Sequence, residues 1–267
     1  MIFSFTNQKG GVGKTTTALN LGAFLARKGK TVLLLDLDPQ ANLTSGVGYR
    51  PLVKNSQEEE KITKKKKKRP TIYNVLIGES KIPEAFIVTK LENLFLVPSS
   101  LDLAGAEIEL VNKMSREALL KEALKDIKDY YDYIFIDCPP SLGILTINAL
   151  VAANKVMIPI QCEYFALEGL SQLSKTLEMV KNNLNSTLQV GGAVLTMYDK
   201  RTRLSKAVED EVRKFFKRKV FNTVIPRNVK LSEAPSFGKP IFLYDRKASG
   251  SLAYRRLANE FEKRFGG

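Results

Sequence analysis

The chain has 267 residues, 44% of them hydrophobic, and a formal net charge of +14; that is enough apolar material for one large α/β domain or two small ones. It has no histidine and only two cysteines, Cys138 and Cys162, which excludes Ser-His and Cys-His nucleophilic chemistry, histidine-ligated metals and a disulfide framework. No apolar run approaches the length of a membrane span, the first residues lead straight into an apolar strand without a leader pattern, and a reducing cytoplasm is the expected compartment.

The excess charge is spread over the chain. The segment Glu58–Arg69 contributes +4, leaving +10 for the remainder. A polyanionic partner is one reading of such a surface, and a thermophile-like Lys/Glu surface is the other.

In chain order, Ile2-Phe3-Ser4-Phe5 reads as a buried strand and Thr17–Arg27 as a helix with Ala18, Leu21 and Leu25 on one face. Between them lies Thr-Asn-Gln-Lys-Gly-Gly-Val-Gly-Lys-Thr-Thr, residues 6–16. A glycine-rich turn between a strand and a helix N-terminus is a phosphate cradle: its N–H groups curl inward, and the helix end adds partial positive charge. Lys9, Gly10, Gly11, Val12, Gly13, Lys14, Thr15 and Thr16 are therefore the candidate phosphate-binding residues. Lys14 reaches the β- and γ-phosphates and the Thr15 hydroxyl sits on Mg²⁺. The common pattern G-x-x-x-x-G-K-[ST] fails at its first glycine, where Gln8 stands, and a second lysine, Lys9, lies just inside the loop.

Thr31–Leu35 is a continuous apolar strand that ends in Asp36-Leu37-Asp38-Pro39-Gln40. Such runs suit a parallel sheet covered on both faces, whose ligands bind at the carboxyl ends of its strands. Gly46–Pro70 reads as a charged surface loop, with a lysine-rich insertion at about 54–70. A short helix over Thr71–Gly78 and a strand over Leu94–Val97 follow. Apolar spacing at Leu110, Met114, Leu119, Ala123, Leu124 and Ile127 predicts one long helix over Leu103–Asp129. Tyr133–Ile136 is a strand ending in Asp137, a Walker B pattern whose carboxylate holds Mg²⁺. Helices over Ile144–Ala153, Glu163–Leu184, Leu204–Lys217 and Ser251–Arg264 alternate with strands over Val156–Ile160, Val190–Leu195 and Val220–Ile225. The alternation predicts a single domain, residues 1–267, built on a doubly wound, mostly parallel sheet with helices on both faces. Without histidine, hydrolysis here rests on positioning, carboxylates, lysines and Mg²⁺, which suits phosphoryl transfer.

The loop Lys9–Thr16 resembles the deviant Walker A motif of the ParA/MinD ATPases. Likeness to ParA/Soj chromosome- or plasmid-partitioning ATPases extends over nearly the whole chain. It is carried by Asp36–Gln40, Asp137–Ser141, Glu163–Gly169, Thr196–Asp199 and Val224–Gly238, and the lysine-rich insertion departs from it. The resemblance implies an ATP- and Mg²⁺-dependent ATPase with a P-loop fold, in the cytoplasm and on the nucleoid. It implies a homodimer that sandwiches two nucleotides. Lys9 then crosses to the partner's phosphates, Asp38 holds the attacking water, and Asp36 and Asp137 act through the Mg²⁺ shell. Pro226, Arg227 and Asn228 look like the adenine-contacting loop. The family's ATP dimers bind double-stranded DNA without sequence preference, and a ParB-type centromere-binding protein stimulates hydrolysis. The basic residues late in the chain, Lys200, Arg201, Arg203, Lys217, Arg218 and Lys230, are the expected DNA contacts, with Arg201 and Lys230 at matching family positions. No membrane partner is expected, although a MinD-like membrane-cycling ATPase is the alternative on the same core.

Overall fold

A computed structural model describes residues 1–49, 69–163 and 168–266. Nearly all of the lysine-rich insertion lies outside these residues. Seven strands form one sheet: β1 (Ile2–Phe5), β2 (Val32–Asp36), β3 (Ile87–Val88), β4 (Leu94–Val97), β5 (Tyr133–Asp137), β6 (Lys155–Gln161) and β7 (Gln189–Thr196). Their order is β3-β4-β2-β5-β1-β6-β7. All pairings are parallel except that of β3, which runs antiparallel to β4 at the edge.

Every residue of β1, β2 and β5 is buried, because each face of the sheet carries its own helical layer. Alternate side chains serve the two layers. Ile2, Leu33, Leu35, Ile134 and Ile136 face one core, with Leu120, Leu145, Leu173 and Val212 from the covering helices. Phe3, Phe5, Val32, Leu34 and Phe135 face the other, with the helices Lys14–Arg27 and Ser249–Phe265. Phe261 anchors that second layer: its ring lies 4.9 Å from Phe3 and 5.3 Å from Tyr133.

The register sets the site. Phe5 pairs with Asp137, and Asp137 with Asp36. The carboxyl ends of β1, β2 and β5 therefore lie level, and the loops that leave them converge on one crevice. The chain builds outward from β1 in both directions, so this crevice lies at the topological switch point of the sheet.

Two expected elements differ. The continuous helix over Leu103–Asp129 is broken into helices Leu103–Glu109 and Leu119–Leu124 flanked by short 3-10 turns. Ser115 has a positive φ of 51°, and Met114, expected to face inward, is 92% exposed. The break is held by buried Asn148, whose amide donates to the Arg116 carbonyl and accepts from the Leu120 N–H. The segment expected as a strand over Val220–Ile225 makes only isolated bridges at Val220 and Pro226. It stays beside β7 through Phe221 N–H to Ala193 and Ile225 N–H to Leu195. Between those contacts the N–H groups of Asn222 and Thr223 turn to the Glu260 carboxylate. The other elements fall within a few residues of expectation. The helix expected over Glu163–Leu184 is described only over Glu168–Asn183.

Candidate active site

The first helix begins at Lys14, three residues earlier than periodicity implies. Gly13 caps it in the left-handed region at φ 88°, and Gly11 adopts φ 73°, conformations costly for any residue with a Cβ. These two glycines fold the loop back so that its N–H groups face the crevice. Thr196 at the end of β7 braces the loop, its hydroxyl donating to the Val12 carbonyl at 2.8 Å. Asn7 ties the loop entrance down: its amide donates to Pro159, and its oxygen accepts from the Lys9 N–H.

The loop borders a cleft of about 790 Å³, lined by Gly10, Gly11, Gly13, Lys14, Thr15, Thr16, Asp38, Pro226, Arg227 and Asn228. The phosphate-binding and adenine-loop expectations thus meet in one cavity of a size that suits a nucleotide. Val12 is buried beneath the loop, and Asp36 and Asp137 lie behind it at the strand ends.

Lys14 is only 6% exposed. Its ammonium donates to the Lys9 carbonyl at 3.3 Å, and burial lowers its pKa against the opposing pull of Asp137, Cys138 and Asp38. A buried three-donor cation with one carbonyl partner is poised for an anionic ligand. Asp137 is its counterpart. It is fully buried, and neither carboxylate oxygen has a hydrogen-bond partner of normal geometry. Burial, then the neighbouring Asp36 charge, raises its pKa, while the Thr15 hydroxyl and the Lys14 charge oppose the rise. Asp36 is raised as well, chiefly by burial. Two adjacent buried carboxylates facing a hydroxyl form an oxygen donor set that suits Mg²⁺, which takes one or two carboxylates and fills its octahedron with phosphate oxygens and waters. No group of three or more acidic, cysteine or histidine side chains among the described residues forms an all-protein metal cage.

The Asp38 carboxylate accepts the Gln40 N–H at 2.9 Å. Asn228 donates to Ser249 at 2.7 Å while its side-chain oxygen is buried and partnerless, an acceptor that suits an exocyclic amine. Tyr254, which no sequence pattern marked, lies at the cleft floor with its hydroxyl 3.1 Å from Thr17 Oγ1. Glu163 is another residue whose role was missed. It sits 3.5 Å from Lys9 Nζ and 3.1 Å from Arg227 Nη2, bridging the phosphate loop to the adenine loop. Its signal was its place in the Glu163–Gly169 motif.

None of the expected DNA residues lines the cleft, although Lys230 sits on the short helix Val229–Glu233, whose Val229, Leu231 and Ser232 do. Arg201 is 83% exposed and grips Asp199 with two hydrogen bonds of 2.9 and 2.7 Å. Lys230 pairs with Glu233 at 2.9 Å. Lys200, Arg203, Lys217 and Arg218 make no ion pair among the described residues. No helix among the described residues is long and apolar enough to cross a membrane.

A doubly wound parallel sheet with a glycine loop, a buried lysine at a helix start and a Walker B carboxylate at the switch point defines a P-loop ATPase. Comparisons agree. The AAA domain family profile matches residues 1–190. The chain is 51% identical to the chromosome-partitioning ATPase Soj of Treponema pallidum over 98% of its own length and 97% of that protein's. It is 53% identical to the sporulation initiation inhibitor protein Soj of Bacillus subtilis over 97% of each. Among solved structures, a Mycobacterium smegmatis protein described as cobyrinic acid a,c-diamide synthase, bound to ADP and magnesium, superimposes with a TM-score of 0.79. It is 37% identical, and the match covers 97% of this chain and 92% of that one. The chain belongs to the Soj/ParA family of chromosome-partitioning ATPases.

Proposed function

We propose that this chain binds ATP with magnesium, dimerises around the nucleotide, holds double-stranded DNA without sequence preference in that state, and leaves it on hydrolysis. A ParB-type centromere-binding partner would time the hydrolysis on the nucleoid. The observation that carries the nucleotide half is the pair of Lys14 and Asp137, a buried ammonium held by a single carbonyl and a buried carboxylate with no hydrogen bond of normal geometry. Thr15 and Asp137 would hold the magnesium, with Asp36 adding charge behind them. Magnesium, when bound, neutralises charge on the β- and γ-phosphates. Lys14 then stabilises the transferring phosphoryl group, Asp38 orients the attacking water, and Pro226, Arg227 and Asn228 hold the base. Lys9 supplies a positive charge to the partner's phosphates, as an arginine finger does, and has to leave Glu163 to do so.

Gly10 is exposed, and a Cβ there would meet nothing nearer than Pro140 at 4.0 Å. A Cβ at residue 10 therefore fits the monomer, and in the proposed dimer a larger side chain there would obstruct the second copy. Gly10→Val is expected to bind ATP and to sediment as a monomer. An ATP-dependent dimer of normal stability in analytical ultracentrifugation would refute the loop-to-loop arrangement.

The DNA half rests on charge, +14 overall, and on the exposed cations late in the chain. Arg201 and Lys230 are satisfied by Asp199 and Glu233, and such exposed pairs exchange readily for a phosphate. Fluorescence anisotropy of a random-sequence duplex, with a slowly hydrolysed ATP analogue and several salt concentrations, tests this. Arg201→Glu and Lys230→Glu should each weaken binding roughly tenfold. Each should also flatten the slope of log affinity against log salt by about 2, since a dimer loses two phosphate contacts. Wild-type binding by both variants, with loss on deletion of Glu58–Arg69, would move the DNA site to the insertion.

A further inference from the structure

The two buried carboxylates of the site are bonded in opposite ways. Neither Asp137 oxygen has a hydrogen-bond partner of normal geometry, and the Thr15 hydroxyl of the phosphate loop faces it, whereas Asp36 is engaged by its own chain. Its Oδ2 accepts the Thr44 N–H at 2.7 Å and the Thr44 hydroxyl at 2.6 Å, and its Oδ1 accepts the Asp38 N–H at 3.2 Å. The Thr44 hydroxyl in turn accepts the Ser99 N–H at 3.0 Å. Thr44, Ser99 and Asp36 have no exposed surface, and Thr44 does not line the cleft.

These bonds close the segment between Asp36 and Thr44 into a loop pinned at both ends, with Asp38 two residues from its start. Within it the Ala41 N–H reaches the Asp38 carbonyl at 2.9 Å and the Gln40 N–H reaches the Asp38 carboxylate, so the position of Asp38 is set by where Asp36 and Thr44 hold the loop. Among the described residues, the Thr44 hydroxyl is the side-chain group that joins this loop to Ser99, just beyond β4. Bonds buried in this way favour one geometry, because breaking them would leave the Asp36 carboxylate and the Ser99 N–H unpaired away from water.

We infer that Thr44 is a positioning residue for hydrolysis: it acts through Asp36 to hold Asp38 where the attacking water is oriented, without touching the nucleotide. This rests on the proposed role of Asp38. A positioning error of this kind lowers turnover and spares ground-state binding.

The test compares wild type with Thr44→Val, Thr44→Ser and Asp38→Ala in the full-length protein with magnesium. The readouts are kcat and KM for ATP, equilibrium binding of a fluorescent ATP analogue, and the melting temperature. Thr44→Val keeps the side-chain shape and the backbone N–H bond but loses the hydroxyl. It should lower kcat at least tenfold with KM and analogue affinity within threefold, and Thr44→Ser should restore kcat to within twofold. If Thr44→Val fails to fold, Thr44→Ala, which adds no methyl against Ser99, takes its place with the same expectation. A kcat at the wild-type level in the hydroxyl-free variant, a loss confined to KM, or a serine variant as slow as valine would overturn the inference. Should Asp38→Ala hydrolyse at the wild-type rate, the role of Asp38 itself would fall, which is a separate result from a fast Thr44→Val beside a slow Asp38→Ala.

Discussion

Lys14→Ala should bind ATP roughly 30- to several thousand-fold more weakly than wild type. The range follows from about 2–5 kcal/mol for removing one member of a buried, hydrogen-bonded charge pair. The physical case rests on what Lys14 lacks. Its ammonium is buried beneath the phosphate loop with the Lys9 carbonyl as partner, and burial already lowers its pKa. In the free protein this cation is held at a cost, and the nucleotide phosphates repay it. The alanine variant should therefore melt no lower than wild type while losing its ligand. Isothermal titration with ATP and magnesium, together with a thermal melt, reads both quantities. A Kd within threefold of wild type would show that the loop does not bind phosphate through this side chain.

Asp38→Ala should separate binding from turnover in the opposite sense. Asp38 borders the cleft at the end of the loop that follows β2, and its carboxylate is oriented by the Gln40 N–H. A group that positions and deprotonates water contributes about 10²–10⁴ to the rate, so kcat should fall by that factor with ATP affinity within a few-fold of wild type. Because the nucleotide then persists, the dimer should accumulate at ATP concentrations where the wild type cycles back to monomer. Phosphate release and sedimentation velocity on the same sample decide the matter. Wild-type turnover would remove Asp38 from the mechanism, and lost turnover without a trapped dimer would detach hydrolysis from dissociation.

The two variants probe different depths of the same cavity. In the proposed cycle Lys14 meets the phosphates in the ground state, so its loss should appear in Kd, and Asp38 meets a water that matters only on the way to the transition state, so its loss should appear in kcat. Gly10→Val adds a third signature, normal binding without association. The three together test the proposed cycle of binding, pairing and hydrolysis one step at a time.

Much of this protein was legible from local pattern. Short apolar runs mark β1, β4 and β5, with Ser4 the one polar residue in β1, because strands buried on both faces favour apolar residues throughout. The glycines and the Lys14-Thr15 pair mark the phosphate loop because its backbone conformation and its chemistry are both local. Asp36, Asp38 and Asp137 were visible because each directly follows or ends such a run. What only the tertiary structure decided lies in contacts far apart in sequence. The break at residues 113–118 is imposed by Asn148 from another helix, and no spacing of apolar residues can report a backbone group captured from outside. The segment over Val220–Ile225 has the composition of a strand, yet Glu260 takes its central N–H groups. The pairing of Lys9 and Arg227 with Glu163, and the contrast between Asp36, held by three hydrogen bonds, and Asp137, without one of normal geometry, depend on which side chains packing brings together. The sequence by itself determined the class of chemistry, since residue type and local backbone geometry are enough to make a phosphate cradle. The tertiary structure decided which carboxylate is free and which is spoken for, because hydrogen bonds are assigned by distances between chain segments that only packing brings together.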